Sequence, residues 1–260
     1  MCACFARGDA ISGRETGMAL YDTIGVDYDR LRRPDPRIAR LINAALGDAG
    51  TVVNIGAGTG SYEPFGRQVI AVEPSSEMIA RRPTGAAPVV QAAAEELPFT
   101  DDAFDAAMAI LTVHHWTDKA KGLREMRRVA RGAVVILTYD PAHRSWLTDY
   151  LPQLAVLDEA QMPPMSFYEE QLGPVSIEPV TVPHDCIDGF LYAFWRRPRV
   201  YLDARYRRGS SSFWALEDAL TPGLQRLEDD LDSGAWQTSY GELCASDTYD
   251  AGYRLVISGR

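Results

Sequence analysis

Hydrophobic positions fall into short apolar runs that alternate with longer amphipathic stretches. Near-continuous apolar runs occur in "TVVNI" (51–55), "QVIAVE" (68–73), "FDAAMAILTV" (104–113) and "GAVVILTYD" (132–140), with a weaker one in "PVVQAA" (88–93). Runs of this length and continuity predict parallel strands covered on both faces. Between them lie helical patterns. In "DPRIARLINAALGDAG" (35–50), Asp35 stands as a cap, Pro36 suits the first turn, and Ile38, Leu41, Ile42 and Leu46 form an apolar stripe. In "DKAKGLREMRRVAR" (118–131), Leu123, Met126 and Ala130 face inward, and Arg124, Arg127, Arg128 and Arg131 form a solvated face. Ser75 or Ser76 is placed to cap a short helix carrying Met78. Strand–helix alternation at this spacing means βαβ units and a doubly wound sheet. After residue 141 the pattern changes. A helix is predicted over "RSWLTDYLPQLAVLDEA" (144–160), a strand over "VSIEPVTVP" (175–183), and a final strand over "GYRLVIS" (252–258). Between these last two lie about 65 residues rich in Trp, Tyr and Arg.

Bulk properties narrow the partner classes. The 260 residues suffice for one large domain, and 46% hydrophobic with 24% charged residues is ordinary for a globular chain. A formal net charge of −10 argues against a broad phosphate-binding surface, so nucleic acid is not the expected partner. No run of 18 apolar residues predicts a membrane span. Cys2, Cys4, Cys186 and Cys244 match neither a zinc pattern nor a disulfide framework, so reduced thiols in a cytoplasmic protein without a metal are expected. Residues 1–17 lack periodic apolar positions and the apolar core of a signal peptide. They are expected to be a flexible tail ahead of "MALYDTIGVDYDRL".

The candidate chemistry starts in "TVVNIGAGTGSYE". Gly56, Gly58 and Gly60 follow the first strand at alternate positions. In open α/β sheets such a loop lies where ligands bind, and its glycines let the backbone approach the ligand. The dinucleotide fingerprint needs G-x-G-x-x-G, and here the third glycine comes one residue early; no Gly-Lys-Ser/Thr follows for a phosphate loop. The spacing therefore disfavours an NAD-linked oxidoreductase. Glu73, ending the second strand, is a carboxylate placed to accept ribose hydroxyls.

Taken together, "VVNIGAGTGSYE", "VIAVEPSSEMIA", "AEELPFTDDAFD" and "LTVHHWTDKAKGLREMRRVARGAVVILTYDP" resemble, in order, the motifs of class I S-adenosylmethionine-dependent methyltransferases of the small-molecule type. The resemblance runs from residue 21 to 141. It implies a Rossmann-like, mostly parallel seven-stranded α/β sheet with an antiparallel last strand. It implies S-adenosyl-L-methionine as cofactor, held by Asn54, Gly56, Ala57, Gly58, Gly60, Glu73, Pro74, Ala94, Glu95 and Leu111. Tyr21, Tyr28 and Arg33 belong to a segment resembling the family's cofactor cover. This chain has Asn54 where the family usually carries an acid, and Ala93 where it commonly has Asp. Those departures keep open a non-catalytic protein that only binds S-adenosylmethionine or its product.

Methyl transfer from a sulfonium depends chiefly on proximity and orientation, and a base helps where the acceptor must lose a proton. His114 and His115, ending the fourth strand, are the expected catalytic pair. Tyr139, His143, Trp195 and Arg197 are the expected substrate contacts. The segment at about 183–248 is expected to be an inserted lid within one domain (18–260). Most of the six arginines in 196–208 read as solvated surface.

Overall fold

The computed structural model describes residues 31–259. The expected tail and the segment with Tyr21 and Tyr28 lie outside the described residues. Seven strands form the main sheet: β1 (Thr51–Ile55), β2 (Gln68–Val72), β3 (Val89–Val90), β4 (Ala106–Ile110), β5 (Val134–Tyr139), β6 (Val175–Pro179) and, closing the chain, Tyr253–Ser258. Two short strands, β7 (Val182–Pro183) and β8 (Thr248–Tyr249), pair as a separate antiparallel ribbon, so the closing strand is β9. The sheet order is β3-β2-β1-β4-β5-β9-β6, and β9 runs antiparallel to both its neighbours. The order reverses between β1 and β4, which places the ends of those two strands at the ligand-binding edge.

Alternate residues of each strand face opposite sides of the sheet, and both sides are covered. On one side Val52, Met108, Val135 and Leu137 pack against Ile38 and Ile42 of helix α1 (Pro36–Ala45) and against the C-terminal helices. On the other, Val53, Ala107, Val134 and Ile136 pack against Leu123, Met126 and Val129 of the helix Lys119–Val129. All six residues of β5 are buried, as its apolar run requires.

Capping residues set the helix starts. Asp35 caps α1 by accepting from the Arg37 amide at 3.0 Å. Ser75, rather than Ser76, caps α2 (Ser76–Ala80), and Asp118 caps the Lys119–Val129 helix, α3. Leu41 departs from its expected stripe and is 45% exposed. The expected helix over 144–160 is two, α4 (Leu147–Tyr150) and α5 (Pro152–Gln161), because Pro152 has no amide to continue the first. The expected strand over 175–183 likewise divides into β6 and β7. Helix α6 (Met165–Leu172) has no counterpart in the sequence reading; Tyr168 and Leu172 anchor it against α3. Residues 184–247 carry short helical turns and four further helices, α7 (Ala204–Arg207), α8 (Ser211–Leu216), α9 (Thr221–Ser233) and α10 (Ala235–Tyr240).

Candidate functional site: a glycine-loop cleft opening on a second cavity

The glycine loop leaves the end of β1 and turns sharply. Gly56 and Gly58 adopt φ +66° and +52°, left-handed conformations that glycine occupies without strain. At Gly56 the turn is also tight, since an added Cβ would sit 2.1 Å from Thr112 Oγ1. Glu73, at the end of β2, fastens the loop: Oε2 accepts from the Gly58 amide at 2.8 Å and Oε1 from the Ser75 amide at 3.0 Å. Burial raises the Glu73 pKa against the lowering effect of those two bonds. From below, Arg82 donates to the Gly58 carbonyl at 3.0 Å and pairs with Glu63 at 2.5 Å.

These elements surround a cleft of about 270 Å³. Asn54, Gly56, Ala57, Gly58, Glu73, Pro74, Ala94, Glu95, Leu111 and His115 all line it. Asn54 Nδ2 is buried and has no hydrogen-bond partner. Gly60 does not line the cleft; it turns the chain toward Glu63 and Arg82. Arg33 is exposed and does not line it either. Its neighbour Arg32 does, because Arg32 bridges to the backbone of Asp188 and its Nε donates to Asp188 Oδ1 at 2.8 Å. Asp188 is itself buried and accepts from Tyr62 Oη at 2.8 Å. Thr112 and Trp116 also line the cleft; nothing in their local sequence marked them.

A second, smaller cavity of about 80 Å³ adjoins the first, and Arg32, Leu111 and His115 line both. Leu111 holds φ +52°, an uncommon conformation for a side-chain-bearing residue, at the junction. His114 and Tyr139 reach this second cavity, as do Asp158 of α5 and Tyr192. Tyr192 Oη donates to Asp158 Oδ2 at 2.7 Å, and the Tyr139 ring stacks on Tyr192 with centroids 5.0 Å apart. Removal from water pushes the Asp158 carboxyl up to about 6 and the His115 imidazole down to about 4; His114 goes well below its usual value for the same reason. Both histidines are therefore neutral near pH 7.

Three expected substrate contacts do not reach either cavity. Trp195 is fully buried, with Nε1 donating to the Val182 carbonyl at 3.0 Å and its own carbonyl accepting from Trp146 Nε1 at 2.9 Å. Arg197 lies over the Phe194 ring and donates to the Cys186 carbonyl at 2.8 Å. His143 sits behind Tyr139, whose Oη donates to the His143 carbonyl at 3.2 Å. Three of the aromatic residues that do line the cavity, Phe190, Tyr192 and Trp214, come from the same segment as Trp195. Among the described residues, no group of three or more His, Cys, Asp and Glu is arranged to hold a metal, and no helix is long and apolar enough to cross a membrane.

Comparison with known proteins agrees with this geometry. Residues 53–137 match the model of a methyltransferase domain. A crystal structure of a putative methyltransferase from an antibiotic biosynthesis pathway of Anabaena variabilis is 35% identical, with a TM-score of 0.78, over 88% of this chain and 99% of that one. The ubiquinone/menaquinone biosynthesis C-methyltransferase UbiE of a Geobacter species is 31% identical over 145 residues, 46% of this chain and 62% of that protein. The chain thus spans about six-tenths of the length of that curated relative. The YcgJ protein of Bacillus subtilis shares the fold at 17% identity and TM-score 0.53.

Proposed function

The chain belongs to the class I S-adenosylmethionine-dependent methyltransferases, and from that premise we propose that it transfers a methyl group from S-adenosyl-L-methionine to a small-molecule acceptor. The observation that carries this reading is the pair of adjoining cavities sharing Arg32, Leu111 and His115. A protein that merely bound the cofactor would need the first cavity alone.

The residues of the larger cleft fit the cofactor. The orphaned Asn54 amide is a buried group that lacks a partner, suited to the polar methionine end. The carboxylate of Glu73 uses one lone pair per oxygen on the backbone, leaving capacity for ribose hydroxyls. Ala94 and Glu95 line the side of the cleft that the family uses for adenine. When bound, the cofactor supplies an activated sulfonium methyl. The protein then has three tasks: holding the acceptor in line, excluding water, and accepting a proton where the acceptor must lose one. The second cavity is walled by Phe190, Tyr192 and Trp214, which supports a covering role for the segment at about 183–248. Its small volume fits a small acceptor rather than a macromolecule, and the net charge of −10 disfavours nucleic acid. Free Cys186 and Cys244 suit a cytoplasmic setting.

Calorimetric titration with S-adenosylhomocysteine should show a single site, and NAD should not compete for it. A labelled-methyl assay against a metabolite panel should then yield a methylated product. Tight binding with no product from any acceptor would favour the binding-only reading, and absence of binding would sink both.

A further inference from the structure

The geometry points to Asp158 as the residue that takes a proton from the acceptor, and to an acceptor with a flat aromatic body and a phenol-type hydroxyl. This rests on the methyl-transfer reading above.

Asp158 is the one carboxylate among the described residues lining the second cavity. It is 3% exposed, and among the described residues its side chain makes a single hydrogen bond, Oδ2 accepting from Tyr192 Oη at 2.7 Å. Oδ1 has no protein partner among the described residues, on a side chain that lines the cavity. Among the described residues no cation lies within bonding distance of it; Arg144, whose charge favours the ionised form from further away, pairs with Glu159 instead. A buried carboxylate with one hydrogen bond is costly to the fold, and a leucine or asparagine would be less so. Such groups concentrate where a reaction needs them.

The other basic groups facing the cavity are weaker. His115 is lowered to about 4 and His114 well below its ordinary value, with Lys119 and Arg32 adding to the effect of burial. Asp158, raised to about 6, holds a proton more firmly than either. The imidazoles are left to act as neutral hydrogen-bonding groups.

The walls select the body of the acceptor. Tyr139, Tyr192, Phe190 and Tyr253 all line the cavity; the Tyr139 and Tyr192 rings stack with centroids 5.0 Å apart and Phe190 packs edge-on to Tyr253 at 4.6 Å, so aromatic rings wall it. The acidity of the acceptor follows from the base. A phenol, with a pKa near 10, lies about four units above Asp158, a gap that proton loss coupled to methyl transfer closes. An aliphatic alcohol, nearly as weak an acid as water at ~16, leaves a gap of about ten. In the step, the phenol oxygen attacks the methyl carbon and the O–CH3 bond forms. The S–CH3 bond breaks with its electron pair returning to sulfur, which becomes a neutral thioether. The phenolic proton passes to Asp158 Oδ1 and later to water.

The test uses the full chain, S-adenosylhomocysteine, 4-methylphenol and 4-nitrophenol. Asp158→Asn should bind S-adenosylhomocysteine as wild type does and melt no lower at about pH 7. With S-adenosylhomocysteine bound, 4-methylphenol should quench tryptophan fluorescence, since Trp214 lines the cavity. Its affinity for wild type should weaken as pH falls through about 6, and for Asp158→Asn should be flat. With S-adenosylmethionine at about pH 8.5, the variant should lose about 100-fold on 4-methylphenol and under about tenfold on 4-nitrophenol, which is already ionised. If Asp158→Asn does not fold, Tyr192→Phe removes the bond that lowers the Asp158 pKa and should move the binding break to higher pH. Equal losses on the two phenols, a pH-independent wild-type affinity or an unmoved break would overturn the role of Asp158. Wild type that binds S-adenosylhomocysteine but neither phenol would overturn the acceptor class. Only a failure to bind S-adenosylhomocysteine would count against the methyl-transfer reading itself.

Discussion

Replacing Glu73 by Ala tests the cofactor cleft at its most heavily used side chain. The carboxylate accepts from the Gly58 and Ser75 amides at 2.8 and 3.0 Å, so it fixes the glycine loop against the start of α2 before any ligand arrives. Each bond to a charged acceptor contributes about 1.5–3 kcal/mol, but burial of the same carboxylate, which raises its pKa, takes part of that back. The net stability cost of Glu73→Ala should therefore be about 1–3 kcal/mol. Affinity should suffer twice, through a loosened loop and through lost ribose contacts. S-adenosylhomocysteine should bind at least tenfold more weakly, about 1.4 kcal/mol. Glu73→Gln is no rescue, because its amide nitrogen would meet one of the two amide donors. The pH dependence adds a sign that a misfolded variant could not mimic. A carboxyl raised in the folded state contributes stability that is present below its unfolded pKa, about 4.3, and lost as pH rises through the folded value. Ligand affinity, which needs the ionised form, should rise over that same interval. Calorimetry and thermal melting across about pH 4–8 measure both. A folded Glu73→Ala protein with wild-type affinity would remove Glu73 from the site.

Gly56→Ala should destabilise the chain by about 2 kcal/mol or more and abolish cofactor binding, because the new methyl would stand 2.1 Å from Thr112 Oγ1 at a positive φ; an unchanged melting temperature would contradict the loop geometry. Asn54→Leu should raise the melting temperature by relieving an unpartnered buried amide, about 1–3 kcal/mol, while weakening S-adenosylhomocysteine; loss of both would mark Asn54 as structural only. Trp195→Ala should cost roughly 3–5 kcal/mol, since the indole is fully buried and donates to Val182; a stable variant with altered acceptor turnover would return Trp195 to the acceptor site.

The sheet was legible where one physical signal dominated. Strands β1, β4 and β5 are buried on both faces, so their composition alone carries the assignment. The cleft was legible for the same reason: glycines at fixed offsets and a carboxylate ending β2 are local features of one βαβ unit. Even there, a local reading does not record that Gly56 is closed off within the protein by Thr112, 56 positions along the chain, whereas an added Cβ at Gly58 would meet Met78 Cε at 3.4 Å. Arg32 was passed over for Arg33 because the choice between them is made by Asp188, 156 residues away, and no local period records that pairing.

The acceptor side resists sequence reading for a further reason. Residues 190–216 run through turns, one 3-10 segment and the short helices α7 and α8, none long enough for a fixed period to tell inward from outward. Trp195 and Trp214 come from equally aromatic surroundings, yet one is core and the other lines the cavity. The division follows from hydrogen bonding. The Trp195 indole finds a carbonyl in β7 and its backbone carbonyl finds Trp146, so two polar groups are satisfied only when that residue is fully inside. Asp158 shows the converse. Its helix gives no sign of chemistry, because the partner that makes the carboxylate notable, Tyr192, arrives from 34 residues further on. Where a donor cleft is built from one contiguous unit and an acceptor cavity from several distant segments, the first is readable from a motif and the second only from assembled coordinates.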